Sequence, residues 1–242
     1  IRSDRPYLIT GGLGALGLEL ARWLVERGAR QVVLVSRRGE PGTAAAAQIA
    51  ALTERGADVR IMAADISKAD PVEQLFKQLQ EELPPLAGIF HTAGLLQDGL
   101  LIQQTWEQFQ NVMAPKVNGS WHLHRCSQDL PLDYFVCFSS IASVLGSPGQ
   151  ANYSAANSFM DGLMQLRRAS GLPGLSINWG PWGEIGMAAR LDPQSRSRMA
   201  AQGIDPLSTS QGLLALDTLL GTSTGQVAVL AVDWPKFLKQ LP

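Results

Sequence analysis

The chain has 242 residues, 45% of them hydrophobic and 17% charged, and 20 basic against 21 acidic residues give a net charge of −1. This is a globular composition with enough apolar residues for a sizeable core; no apolar run of about 18 residues is present to span a bilayer, and the neutral balance excludes a broad basic face for nucleic acid. Cys126 and Cys137 give neither a disulfide framework nor a zinc-ligand spacing, the histidines form no ligand set, and Ile1-Arg2-Ser3-Asp4-Arg5 is no signal peptide, so no metal is expected and a reducing cytoplasm is the expected setting.

In chain order the predicted elements are strand Tyr7–Thr10, helix Leu16–Arg27, strand Gln31–Ser36, helix Ala44–Arg55, strand Val59–Ala63, helix Pro71–Glu82 and strand Gly88–Thr92. They continue with helix Trp106–Gln128, strand Tyr134–Ser139, helix Asn152–Ser170, strand Leu175–Trp179, helix Gln211–Leu220 and strand Val227–Ala231. The strand runs are too continuously apolar to be covered on one face only, and the intervening helices supply crossovers. The expected fold is therefore α/β: a doubly wound Rossmann fold of about seven parallel strands with helices on both faces. Gly28 and Gly56 stand where helix ends want a left-handed residue, and Asp70-Pro71 reads as a cap followed by proline at the first helical position. The stretch 183–210 breaks the rhythm after the sixth strand and reads as a lid, with the whole of 1–242 forming one domain.

Thr10-Gly11-Gly12-Leu13-Gly14-Ala15-Leu16-Gly17 follows the first strand and opens the first helix, with Gly12, Gly14 and Gly17 fitting G-x-G-x-x-G. Missing side chains there permit a tight turn, approach of a pyrophosphate and close helix packing, and the helix N-terminus offers amide hydrogens to phosphates. The second strand ends in Ser36-Arg37-Arg38, with no acid to meet ribose hydroxyls; Arg37 can pair a 2′-phosphate, so NADPH is expected over NADH. Asp65 with Ile66, after the third strand, is placed to meet adenine, with helix capping as the competing role for Asp65. Thr92-Ala93-Gly94 after the fourth strand offers small side chains beside a cofactor.

Ser139 and Ser140 end the fifth strand, and Tyr153 follows on the first turns of a long helix. A tyrosine with an ordinary pKa near 10 needs a nearby cation to exchange a proton at neutral pH. Glycine loop, Ser and Tyr together resemble the short-chain dehydrogenase/reductases, whose usual lysine four residues after the Tyr is here Asn157. The cation is found instead in Ala114-Pro115-Lys116-Val117. A Lys/Asn exchange of this kind resembles the ketoreductase domains of modular polyketide synthases and animal-type fatty acid synthases. The resemblance to polyketide ketoreductases also covers Ser36-Arg37-Arg38-Gly39, His91-Thr92-Ala93-Gly94, Asn152-Tyr153-Ser154-Ala155-Ala156-Asn157 and Trp179-Gly180-Pro181-Trp182.

The resemblance implies NADPH-dependent reduction of a β-ketoacyl thioester, carried on an acyl carrier protein within a polyketide synthase, to a β-hydroxyacyl thioester. It implies Tyr153 as general acid, Ser140 as donor to the carbonyl, with Ser139 the fallback, and Lys116 with Asn157 supporting the proton relay. It further implies Gly180, Pro181 and Trp182 against the nicotinamide, and a substrate-facing set of Leu96, Gln97, Asp98, Gln150 and Met187. Leu96-Gln97-Asp98 keeps the last residue of the family's Leu-Asp-Asp signature and Leu145 stands where the opposite class has Trp, which implies a B-type, D-hydroxy product. A structural subdomain that precedes the catalytic half in the family is expected to be absent. Two alternatives stay open: a non-reducing epimerase or scaffold domain, and a nucleotide-sugar epimerase, against which Asn157 speaks.

Overall fold

A computed structural model describes residues 1–186, 200–201 and 203–239. Its elements are β1 (Tyr7–Thr10), α1 (Ala15–Glu26), β2 (Gln31–Ser36), α2 (Thr43–Glu54), β3 (Asp58–Ala63), α3 (Ala69–Glu82), β4 (Gly88–His91), α4 (Trp106–Met113) and α5 (Gly119–Cys126). They continue with β5 (Tyr134–Ser140), α6 (Ala142–Leu145), α7 (Ala151–Ala169), β6 (Leu175–Trp179), β7 (Ile204–Asp205), α8 (Thr209–Leu220), β8 (Gln226–Val229), β9 (Ala231–Val232) and α9 (Trp234–Leu238). Seven strands form one sheet in the order β3-β2-β1-β4-β5-β6-β8, every pairing parallel. The expected doubly wound Rossmann architecture is thus present.

Both faces of the sheet are covered. Leu20, Trp23 and Leu24 of α1 pack with Leu213 and Leu216 of α8 on Ile9, Leu34 and Ile177. On the other face Leu75 and Phe76 of α3, Leu123 of α5 and Met160 and Leu163 of α7 meet Leu8, Val33, Ile89 and Phe135. Each such side chain contributes about 1.5–3 kcal/mol by leaving water. Strand order reverses at β1, whose neighbours are β2 and β4, and the crevice beyond the carboxyl ends at such a switch point is where doubly wound sheets bind ligands.

Three expectations are corrected. The predicted helix Trp106–Gln128 is broken: α4 ends at Met113, Ala114–Asn118 forms a π turn, and α5 ends at Cys126. Pro115 lacks an amide and its ring obstructs the ordinary ladder, so the turn widens and the Gly119 amide reaches back to the Ala114 carbonyl. Second, α3 begins at Ala69 after Lys68, so Asp70 and Pro71 lie inside its first turn and Asp70 is no cap. Third, the run Val227–Ala231 divides into β8 and β9, because β9 leaves the main sheet to pair antiparallel with β7. Of the stretch 183–210, read as a lid, the described part holds β7 and the Leu207 end of a bridge from Trp182, while 187–199 and 202 lie outside the described residues. Gly28 and Gly56 do adopt left-handed φ values, +105° and +84°.

Candidate active site

A cavity of about 370 Å³ opens at the carboxyl ends of β4, β5 and β6, and Ser140, Tyr153, Lys116, Asp98, Gln150 and Trp182 are among its walls. Three secondary structures deliver the polar groups. Ser140 ends β5; its Oγ accepts the Ala142 amide hydrogen at 3.2 Å, which leaves its own proton free for the cavity. Ser139, one residue back, is turned to the interior: its Oγ donates to the Asn157 carbonyl at 3.4 Å and accepts from Asn178 at 3.1 Å.

Tyr153 is 8% exposed in the first turn of α7, packed with Val112, Ala142 and Ala156. Asn157, one turn on, donates from Nδ2 to the Tyr153 carbonyl at 2.7 Å. Burial pushes the Tyr153 phenol above its ordinary value, the Asn157 amide and Ser140 hydroxyl pull it back, and Asp98 adds to the rise. The π turn delivers Lys116, 3% exposed, whose Nζ donates to the Phe138 carbonyl at 3.1 Å and lies 5.3 Å from the Tyr153 ring centre. Burial lowers the Lys116 pKa to about 8, against smaller raising effects of Cys137 and Asp161. Gly94 makes room for this lysine: a Cβ there would come within 2.9 Å of Lys116 Cε and 3.4 Å of Nζ.

The phosphate side of the site lies at β1. Gly11 takes φ +70° and turns the chain out of the strand. A Cβ on Gly12 would strike the Ile9 carbonyl and Leu34 at 2.8 Å, and one on Gly17 the Gly11 carbonyl at 2.5 Å, so these two glycines serve close packing of loop, strand and helix. Gly14 is the N-cap of α1 without a side-chain cap, and no acid stands in the first turn, so the helix end is open to an anion. Leu16 lines the cavity, and Leu13 leans on the core. Thr10 is buried, with Oγ1 2.7 Å from His91 Nδ1, and Thr92 Oγ1 donates to the Thr10 carbonyl at 2.8 Å, tying β1 to β4.

At the end of β2, Ser36 Oγ accepts from the Gly39 amide, and Arg37 and Arg38 are exposed with no ion pair among the described residues. An open helix terminus and two free guanidinium groups fit a dinucleotide carrying an additional phosphate. Asp65 Oδ1 accepts from both the amide and the hydroxyl of Ser67, and Ile66 is buried beneath Gly119, so Asp65 shapes its own turn. Ala93 lies behind Gly11.

On the substrate side Gln150 Nε2 donates to Asp98 Oδ2 at 2.9 Å, joining two residues singled out separately. Leu96 lines the cavity, and the Gln97 carbonyl accepts from Asn152 Nδ2 at 3.0 Å. Gly180 and Pro181 border the cavity, and Trp182 stands edge-on to Trp179 with ring centres 5.0 Å apart, fitted over Gly212, where a Cβ would meet the indole at 2.3 Å. Met187 lies outside the described residues. Sequence reasoning missed Ile141 and Ile185 of the cavity wall, and Asp161 behind it. Asp161 carries a signal: it is an acid among the apolar positions Met160, Leu163 and Met164 of α7.

Comparison with known proteins points to one family. The KR domain family model matches residues 6–184. A phenolphthiocerol synthesis polyketide synthase type I of Mycobacterium marinum is 42% identical over 235 residues, covering 96% of this chain; the chain spans 11% of that synthase's length. Among solved structures, a ketoreductase domain from the bacillaene assembly line superposes with TM-score 0.93 at 36% identity, covering 100% of this chain and 59% of that one. An A-type ketoreductase from a modular polyketide synthase gives TM-score 0.89 at 38% identity over 98% of this chain and 50% of that one.

Proposed function

Because the chain belongs to the KR domain family, the ketoreductase domains of polyketide synthases, we propose that it reduces a β-ketoacyl thioester on an acyl carrier protein to a β-hydroxyacyl thioester. The observation that carries this reading is the convergence of Ser140, Tyr153 and Lys116 on one cavity at the strand ends. NADPH, when bound, supplies a hydride to the carbonyl carbon. The glycine turn at Gly11–Gly14 and the start of α1 hold its pyrophosphate, and Arg37 its 2′-phosphate.

The remaining work is done by side chains of this protein. As the carbonyl oxygen gains negative charge, the Ser140 hydroxyl donates a hydrogen bond to it, a fixed donor acting where charge develops. Tyr153, held in its protonated form by burial, gives up its proton to the same oxygen. Lys116 is still cationic at neutral pH, being set at about 8, and lies against the Tyr153 ring, where its charge favours the phenolate left behind. Asn157 fixes the turn of α7 that carries Tyr153. Asp98, held by Gln150, stands at one side of the cavity and directs the substrate toward the B-type, D-hydroxy product. Acyl carrier protein and the other domains of a cytoplasmic synthase are the partners in this reading.

The experiment follows NADPH absorbance with a β-ketoacyl thioester and resolves the product enantiomers. Oxidation that disappears in Tyr153→Phe and yields the D-hydroxy product is the expected result. Tight NADPH binding without oxidation would instead favour a non-reducing epimerase.

A further inference from the structure

Asp161 is 6% exposed, and among the described residues no cation pairs with it. Its carboxyl is satisfied by neutral donors alone: Ser176 donates to Oδ1, while Ser143 Oγ and Asn178 Nδ2 approach Oδ2 at 2.7 and 2.8 Å. Burying a carboxyl in this manner is costly, and an apolar side chain in its place would leave the three donors that face it without a partner. Its partners indicate what it accomplishes. The Ser143 hydroxyl lies between Asp161 Oδ2 and the Ser140 carbonyl, 2.8 Å away. Asn178 Nδ2 also reaches Ser139 Oγ at 3.1 Å and Ser143 Oγ at 2.7 Å, and Gln226 Nε2 fixes its orientation by donating to Oδ1 at 3.1 Å. The single Ser143 proton is shared between Asp161 Oδ2 and the Ser140 carbonyl, and the two Asn178 Nδ2 hydrogens between Asp161 Oδ2 and the two serine hydroxyls, so one cluster ties together α7, α6, β6 and the last two residues of β5.

We propose that Asp161 is a positioning residue of the active site: through Ser143 and Asn178 it holds the carboxyl end of β5, and so the Ser140 hydroxyl, in place against the helix that carries Tyr153. The proposal rests on the roles given above to Ser140 and Tyr153. Asp161 and Tyr153 are eight residues apart on one unbroken helix, about 12 Å at 1.5 Å per residue, so an anchor at one end fixes the other. Asp161→Asn keeps one acceptor oxygen and puts amide hydrogens in place of the other; where these face Asn178 and Ser143 the strand end loses its hold.

The test uses the whole protein, NADPH and a β-ketoacyl thioester, with NADPH affinity by fluorescence and melting temperature measured beside kcat. Asp161→Asn is expected to lower kcat by about 10- to 100-fold, the range that small misplacements of reacting groups produce, with NADPH affinity unchanged. Ser143→Ala removes the bridge to the Ser140 carbonyl and is expected to lower kcat in the same direction. Combined with Asp161→Asn it should add little. Ser176→Ala removes the partner on the side away from Ser140, so it should lower melting temperature while kcat stays near that of the unaltered protein.

Equal loss of kcat in Ser143→Ala and Ser176→Ala, or a fall in NADPH affinity parallel to kcat, overturns the proposal in favour of a merely structural acid. Should Asp161→Asn fail to fold, the serine pair decides the matter. Unaltered turnover in Asp161→Asn and Ser143→Ala, with Tyr153→Phe inactive, overturns this proposal alone. No oxidation by the unaltered protein removes the reductase reading and this proposal with it.

Discussion

Acid should destabilise this protein through His91. The ring is 1% exposed at the end of β4, with Nδ1 bonded to Thr10, and burial, with a smaller contribution from the Lys116 charge, pushes its pKa from 6.5 down to about 3. Below pH 6.5 the unfolded chain takes up a proton at this histidine while the folded chain does not until about pH 3, so the unfolded state binds more protons throughout that window. The stability involved is intact above pH 6.5 and is lost as the pH falls toward 3. At about 1.4 kcal/mol for each tenfold change in proton concentration, the loss is about 2 kcal/mol by pH 5 and approaches about 5 kcal/mol when complete, comparable with the whole stability of a typical domain. Urea unfolding at pH 7 and pH 5 would measure it, with His91→Asn as the comparison, since its short amide reaches the position of Nδ1 but takes up no proton. The variant should be less stable at neutral pH yet lose about 2 kcal/mol less than the unaltered protein between the two pH values, the loss from surface carboxylates being common to both. An identical loss in the two proteins would refute the reasoning.

Four further outcomes are expected. Lys116 is charged below about pH 8 and neutral above it, so kcat should decline as pH rises through that value, and Lys116→Met should be slow at every pH; a plateau running well past pH 8 in the unaltered protein speaks against the role given to this lysine. Gly17→Ala forces a methyl group to 2.5 Å from a backbone carbonyl of the glycine turn and should weaken NADPH binding about tenfold or more, read by fluorescence titration. Gly28→Ala meets open space but a left-handed φ, and should cost about 1 kcal/mol in a thermal melt with NADPH binding intact. Arg37→Ala should raise the Kd for NADPH about tenfold while leaving that for NADH unchanged, and equal effects on both would remove the 2′-phosphate assignment.

The sheet is legible in the sequence because strands covered on both faces carry unbroken valine-rich runs such as Val32-Val33-Leu34-Val35. What periodicity misses is local geometry that changes the period itself. Pro115 announces a break, yet only the folded chain shows that the break is a wide turn that lays Lys116 against Tyr153. β7 and β9, with two residues each, are too short to leave any pattern and exist through their pairing. In the site, Ser140, Tyr153, Lys116 and the glycine turn are legible because the chemistry requires those side chains at the ends of strands. Asp161 and His91 are not, since their roles arise from partners on β6, α6 and β1 that no local spacing brings near. Asp98 and Gln150 could be singled out from the family pattern, but their hydrogen bond across two loops is a tertiary fact.

Gly94 sets how closely the lysine can be approached. A methyl group at that position would stand 2.9 Å from Lys116 Cε, and the flexible end of that side chain would give way while the sheet and the glycine turn stay where they are. Glycine and alanine codons differ by a single nucleotide. The smallest coding change at this position would therefore move the ammonium against the Tyr153 ring and leave the phosphate-facing turn untouched, which makes the distance between the two groups adjustable by one letter of the gene.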